Sequence, residues 1–385
     1  MKLNFIKTKK EKERIIKDVS FKKYKFNNRI KPENKKDIKI FSCFSEFGCE
    51  TLGVLYCMPH ILKNTPGKYT IAVGWYGREY LYRHLVDEFW EISKENQWLR
   101  EYCKAFHHDS KNLKNVENML LESGSVITAR SMGQLSVGNR CYECGSFWGD
   151  TNKVEECKEC KSKNILGSIL GNVDTWKPQM KKLPSPSIVK LQEAAEYLGK
   201  NPVGIFARGR KCYGRNLQPE FYVKLIALLR DMGYSPIWLG EEASTQPCPV
   251  KDVVDFSRKK ESQDLELTLA IIKQCRFTVQ YWTASTRLAG MMGVPYLLFE
   301  SPDQIWGRGQ EGMRRNLCDV GESKLSVNHF LSVYQNNDEG IKITKRCIQE
   351  MEAGDYKEVY GLLETDNIAK LMKNENSERI GDKWK

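Results

Sequence analysis

The chain has 385 residues, of which 41% are hydrophobic and 29% charged, with a mean hydropathy of −0.55. This composition excludes a disordered chain, a collagen and a coiled coil, and it provides apolar material for two domains of roughly 150 to 200 residues each. No apolar run approaches the roughly 20 residues of a membrane helix, and the N-terminus lacks the apolar segment of a secretory signal. The sequence therefore predicts a cytoplasmic protein.

Most of the net charge of +12 lies at the N-terminus. Residues 1–37 contain 14 Lys or Arg against 5 Asp or Glu, so we interpret them as a basic N-terminal arm. Such an arm can neutralise phosphates of DNA, RNA or anionic lipid, but Lys-rich tails also serve as solubilising extensions. The sequence leaves both interpretations open.

From residue 38 onward, short β-rich runs alternate with amphipathic stretches, which is typical of parallel sheets covered by helices. We expect residues 38–185 to form a first α/β domain. Its predicted elements are strands at 38–44, 69–75 and 125–129, a helix at 50–58 that Pro59 ends or kinks, and a helical stretch from the second strand to about Cys103.

Four of the 13 cysteines form two CxxC pairs separated by 12 residues, namely Cys141, Cys144, Cys157 and Cys160. A chain without an export signal does not favour a disulfide framework. Each CxxC turn can direct two thiolates at one ion, so the spacing predicts a structural zinc ribbon over residues 139–163, with a redox dithiol pair as the alternative. Such a ribbon can stiffen an insertion, or its Phe147 and Trp148 can stack on nucleic acid.

A Pro-rich segment at 182–187 is typical of a domain boundary, and the alternation restarts after it. We expect a second α/β domain over 186–340, followed by C-terminal helices and a tail over 341–385. The predicted strands are 202–207, 235–239, 250–256, 277–281 and 295–299, and the predicted helices are 220–232, 265–274 and 285–292.

Two segments of this second half indicate anion binding. A turn after the strand at 277–281 places Thr283, Ser285 and Thr286 at the opening of a helix, where free N–H groups favour a phosphate. Simple N-capping is the alternative. After the strand at 202–207, a loop carries four cations that could grip a diphosphate or could simply be solvated, namely Arg208, Arg210, Lys211 and Arg215.

These segments resemble the donor half of GT-B glycosyltransferases, particularly the heptosyltransferase-like branch. The stretch 207–211 is also similar to the Arg-containing strand end of fucosyltransferases, and residues 44–52 resemble the "EFGxE" opening of phage and bacterial GT-B-like proteins. The resemblance implies two Rossmann-like domains facing one another across a cleft. The four-cysteine ribbon departs from that pattern, and the chain has no GxGxxG fingerprint.

The resemblance further implies transfer of a sugar from a nucleotide sugar to an acceptor hydroxyl, without a catalytic metal. In that picture Arg208, helped by Lys211 or Arg215, neutralises the leaving diphosphate from one side, and the turn at 283–286 does so from the other. Glu300 would contact the ribose or base, with a solvated strand end as the alternative.

An inverting enzyme would also need a general base. Glu46 and then Glu50 are the candidates, because they lie nearest the first strand end. Either could instead cap the following helix, and a retaining enzyme would need no such base.

The acceptor is open between a glycan and a modified nucleic acid, such as a hydroxymethylated DNA base. Two other classes compete with a glycosyltransferase: a zinc-ribbon protein that binds nucleic acid without catalysis, and a nucleotide-sugar epimerase of similar fold.

Overall fold

The computed structural model of the chain describes residues 19–45, 47, 50–63, 65–104, 107–108, 111–129, 132, 139–141, 147–148, 155–163, 165–166, 183–209, 216–281, 285–299, 326–328 and 337–353. The chain divides into two compact units, Met1–Trp176 and Lys177–Lys385. This division falls shortly before the Pro-rich segment that the sequence marks as a boundary.

The first unit is built on a mixed sheet of five strands. The strands before the cysteine-rich region are β1 Phe21–Lys25, β2 Ile38–Ser42, β3 Tyr69–Gly74, β4 Glu88–Ile92, β5 Cys103–Lys104, β6 His107–His108 and β7 Ser125–Thr128. The order in the sheet is β1-β4-β3-β2-β7. Strands β2, β3, β4 and β7 are parallel, and β1 pairs antiparallel with β4 at the edge. Every residue of β3 is buried, as expected for an interior parallel strand.

The helices of this unit flank the sheet. A π-helical turn at Glu50–Val54 leads into α1, Leu55–Lys63, which continues past Pro59 instead of ending there. The others are α2 Glu79–Tyr82 and α3 Lys111–Leu121, with 3-10 turns at Lys35–Asp37 and Lys94–Tyr102. The core includes side chains from three strands and α3, among them Ile40, Ile71, Trp90 and Val116.

Two elements of this unit differ from the sequence expectations. β4 lies within the stretch predicted to be helical, and β1 lies within the predicted basic arm. The two glutamates of β4 interrupt the apolar pattern expected of a strand, but each accepts a hydrogen bond from a tyrosine of a neighbouring strand. Glu88 accepts from the Tyr69 hydroxyl at 2.7 Å, and Glu91 accepts from the Tyr24 hydroxyl at 2.9 Å.

The cysteine-rich region contains a small antiparallel sheet of the strands β8 Asn139–Cys141, β9 Phe147–Trp148 and β10 Ile165–Leu166. Their order in the sheet is β10-β8-β9. A short three-stranded antiparallel sheet therefore occupies the place where the sequence predicts a ribbon.

The second unit contains a six-stranded, fully parallel sheet. Its strands are β11 Pro202–Phe206, β12 Ser235–Leu239, β13 Val254–Asp255, β14 Phe277–Tyr281, β15 Tyr296–Phe299 and β16 Ser326–Asn328. Their order in the sheet is β13-β12-β11-β14-β15-β16. Counted along the chain, this order is third, second, first, fourth, fifth, sixth, which is the order of the Rossmann fold. The winding reverses between β11 and β14, and this reversal is the topological switch point.

Helices pack on the second sheet, and side chains cap the first residues of two of them. They are α4 Ile188–Ala195, α5 Pro219–Asp231, α6 Leu265–Gln274, α7 Ser285–Met291 and α8 Asn337–Glu352. The Ser187 side chain caps α4 and the Asp264 side chain caps α6. α8 starts within the predicted second domain and extends into the predicted tail, and its Ile348 belongs to the same core as Ile205 and Leu225.

Within the described ranges, no helix combines the length and apolar character needed to cross a membrane.

Candidate functional site

Arg208 lies at the carboxyl end of the first strand of the second sheet, beside the switch point. β11 ends at Phe206, and Arg208 is buried, with only 6% of the residue exposed. Its Nη1 donates to Oδ1 of Asn216 at 2.9 Å. In doubly wound sheets, ligands bind outside the carboxyl ends of the strands at this point. The strand end therefore presents a buried, oriented guanidinium where a ligand is expected, instead of a solvated one.

The segment after β12 braces this strand end. Arg208 forms an antiparallel bridge with Thr245, and the Gly209 N–H donates to the Ser244 carbonyl at 2.8 Å. A Cβ on Gly209 would lie 2.6 Å from the backbone nitrogen of Gln246. Residue 209 therefore has to be a glycine for the two backbones to approach this closely.

The helix that follows the predicted Ser/Thr turn begins at the same edge of the sheet. β14 is the parallel neighbour of β11, with Phe206 opposite Gln280, and α7 begins at Ser285 just after the end of β14. The backbones of Ser285 and Thr286 open that helix, as predicted. The topology thus brings the end of β11 and the start of α7 to one edge. The remaining predicted contacts lie outside the described residues: Thr283, Arg210, Lys211, Arg215 and Glu300.

The sequence analysis did not single out two polar side chains inside β14. Gln280 is 1% exposed, and neither atom of its amide has a hydrogen-bond partner among the described residues. The hydroxyl of Thr278, on the same face of the strand, is in the same situation. The signal that could have revealed them is a Thr and a Gln at alternate positions of an otherwise apolar strand.

Glu50 is fully buried in the first unit, where it opens the π-helical turn. The Tyr82 hydroxyl donates to its Oε1 at 2.5 Å, and the Nε of Arg78 lies 3.6 Å from its Oε2. Burial raises the pKa of Glu50, while Arg78 and the Tyr82 hydrogen bond oppose that rise. The carboxyl thus anchors the turn to α2. Glu46, the other candidate base, lies outside the described residues.

The second CxxC pair forms a turn whose backbone is directed at sulfur. The Cys160 N–H donates to the Sγ of Cys157 at 3.4 Å, and Lys161 follows in the left-handed region with φ of 59°. The Cys141 side chain and all of Cys144 lie outside the described residues. The described residues alone contain no group of three or more side chains that could hold a metal ion.

Similarity between this chain and known proteins is found at the level of solved structures. No protein-family model matches it, and no curated protein matches it. Solved structures with some similarity include a glycosyl transferase of family 9 from Veillonella parvula, with 10% identity over 90% of this chain and 98% of that chain and a TM-score of 0.48. The E. coli ADP-heptose LPS heptosyltransferase II has 12% identity over 82% and 99%, with a TM-score of 0.49.

The E. coli heptosyltransferase WaaC with ADP has 11% identity over 80% of this chain and 99% of that chain, with a TM-score of 0.43. These TM-scores all lie below 0.5. The fold assignment therefore rests on the strand order and helix placement of the chain itself.

Proposed function

We propose that the chain is a GT-B glycosyltransferase that binds a nucleotide sugar at the carboxyl edge of its second sheet and transfers the sugar to an acceptor hydroxyl. The observation that carries the proposal is the position of Arg208, buried and oriented beside the switch point of a sheet with Rossmann strand order. The motif resemblance near 44–52, 204–216 and 277–300 supports the same function.

In this proposal the protein acts mainly on the leaving diphosphate. Arg208 would donate two parallel N–H bonds to it, which an arginine does better than a lysine because its donors form a planar fork. The backbone at Ser285 and Thr286 would face the same charge. Charge that develops on the diphosphate as the sugar leaves would then be stabilised by groups already in place, without a catalytic metal. We propose Arg210, Lys211, Arg215, Thr283 and Glu300 as further donor contacts.

For the acceptor hydroxyl we propose Glu46 as the general base. Glu50 is the weaker candidate, because its buried carboxyl already accepts from Tyr82 and lies near Arg78. Glu46→Gln should abolish transfer in a folded protein while leaving nucleotide binding intact. An unchanged transfer rate would eliminate this assignment.

The nucleotide site is tested by thermal unfolding in the presence of UDP, GDP, ADP, TDP and CMP. A ligand that binds only the folded protein raises its apparent stability by RT ln(1 + [L]/Kd), which is about 2.7 kcal/mol at 100 times Kd. We expect one nucleoside diphosphate to raise the Tm, and Arg208→Ala to remove that rise. If no nucleotide shifts the Tm while DNA does, the chain is a nucleic-acid-binding protein instead.

We also propose that the four cysteines Cys141, Cys144, Cys157 and Cys160 hold one structural zinc ion. The N–H···S bond in the described turn supports this, because it directs a donor at a sulfur that would be a thiolate ligand. Metal analysis of the purified protein should give one zinc per chain, and Cys157→Ser should lose it. Protein purified without zinc, and stable without it, would contradict the proposal.

The acceptor we propose is a glycan or a modified nucleic acid, and the salt dependence of acceptor binding distinguishes these two classes. Binding of a polyanionic acceptor falls steeply as salt rises, because condensed counterions are released on association. Binding of an uncharged glycan would change little over the same range. Filter binding of hydroxymethylated DNA at 50 and 200 mM salt makes this distinction.

A further inference from the structure

The Gln246 side chain binds two backbone carbonyls that flank, in the sequence, the predicted cations after β11. The Nε2 of Gln246 donates to the carbonyl of Arg208 at 2.7 Å and to the carbonyl of Leu217 at 2.9 Å. A primary amide has two N–H donors, and both are used here. In the sequence, Arg210, Lys211 and Arg215 lie between the two carbonyls.

Gln246 is itself held firmly. Its backbone N–H donates to the Ala207 carbonyl at 2.9 Å, and its own carbonyl accepts from the Trp238 indole at 2.7 Å. Next to it, the Thr245 carbonyl accepts from Arg258 at 2.9 Å. Trp238 is fully buried in the sheet. The Gln246 side chain is therefore held at a fixed position in the loop after β12, and it binds the Arg208 and Leu217 carbonyls, which follow β11.

We propose that Gln246 is a positioning residue for Arg208 in the proposed diphosphate site. It would not touch the ligand. It sets the direction of the backbone at Arg208, so that the guanidinium, held by Asn216 on its other side, meets the phosphates without a search through other conformations. This inference rests on the proposed function, because it assigns a role within the donor site.

The chain offers a matched control at the opposite edge of the same sheet. The Nε2 of Gln274, the last residue of α6, also donates to two backbone carbonyls, those of Leu191 at 2.9 Å and Ala270 at 3.3 Å. Gln274 lies just before the amino end of β14, away from the candidate site. Substitutions at Gln246 and Gln274 therefore remove the same kind of double hydrogen bond, and only one of them lies beside Arg208.

The test is isothermal titration of the full chain with UDP, GDP, ADP and TDP and with the four parent nucleosides. The variants are Gln246→Glu, Gln246→Met, Gln274→Glu and Gln274→Met, each checked for native circular dichroism. The glutamate variants keep the shape but cannot donate, and the methionine variants remain usable if a buried charge prevents folding.

We expect both Gln246 variants to weaken the diphosphate that binds the wild type by about tenfold, which corresponds to the loss of preorganised contacts. Affinity for its nucleoside should stay unchanged, and the Gln274 variants should bind both like the wild type. Equal losses for diphosphate and nucleoside, or no loss at all, would overturn the positioning role. If the wild type binds none of the four diphosphates, the proposed function itself fails, and this outcome is distinct from a wild type that binds while its Gln246 variants bind equally well.

Discussion

The buried amide of Gln280 allows the packing of the second sheet to be tested quantitatively. Gln280 is 1% exposed and is the fourth of the five residues of β14, and its amide has no partner among the described residues. A buried polar group left without a hydrogen bond costs about 1–3 kcal/mol. Methionine is unbranched and of similar length, so Gln280→Met removes this cost while filling the same space.

We expect Gln280→Met to raise the free energy of unfolding of this unit by about 1–3 kcal/mol, which is roughly 2–12 °C in Tm for a unit of this size. Gln274→Met is the control, because it removes two made hydrogen bonds and should lower stability by about 1–2 kcal/mol. Differential scanning calorimetry of both variants gives the comparison. If Gln280→Met loses as much stability as Gln274→Met, the amide has a partner such as an ordered water, and the reasoning is refuted.

Three further predictions concern residues near the carboxyl ends of the strands in the two sheets. Burial raises the pKa of Glu117 in the folded state, so the stability that its neutral form contributes is present below about pH 4.5 and is lost as pH rises through the folded pKa. In urea denaturation, the free energy of unfolding of Glu117→Gln should therefore increase relative to that of the wild type as pH rises through the folded pKa. A constant difference between the two free energies from pH 4 to 8 would contradict this. Tyr82→Phe should lower stability by about 1.5–3 kcal/mol, because the buried Glu50 carboxyl loses a donor, and an unchanged urea midpoint would contradict this. Gly209→Ala should displace the backbone at 245–246, lower the Tm and weaken diphosphate binding. Wild-type affinity in titration calorimetry would show that the close approach of the two backbones is irrelevant to the site.

Much of the second unit could be predicted from the sequence because its elements are strongly patterned. The strands at Ser235–Leu239 and Phe277–Tyr281 and the helix at Leu265–Gln274 have the predicted bounds. In contrast, β4 was predicted as part of a helix. Each of its two glutamates accepts a hydrogen bond from a tyrosine of another strand, at separations of 19 and 67 residues. A local pattern carries no information about such partners.

The candidate site, too, could be predicted from the sequence only in part. Arg208 could be identified because it directly follows an apolar strand, and ends of parallel strands are where ligands bind. The strand order that brings β11 beside β14 could not, because it depends on pairing between segments far apart in the chain. Gln246 could not either, since its two acceptors lie 38 and 29 residues away and nothing in its local sequence marks it. Residues that act through long-range hydrogen bonds require the folded structure.

The most direct test of the central claim is a crystal structure of the protein with the nucleoside diphosphate that raises its Tm most. We predict that the phosphates lie at the carboxyl edge of the second sheet, between the ends of β11 and β14, with the Arg208 guanidinium within about 3 Å of phosphate oxygens. Phosphates bound elsewhere on the chain, with Arg208 in contact with protein atoms alone, would contradict the account.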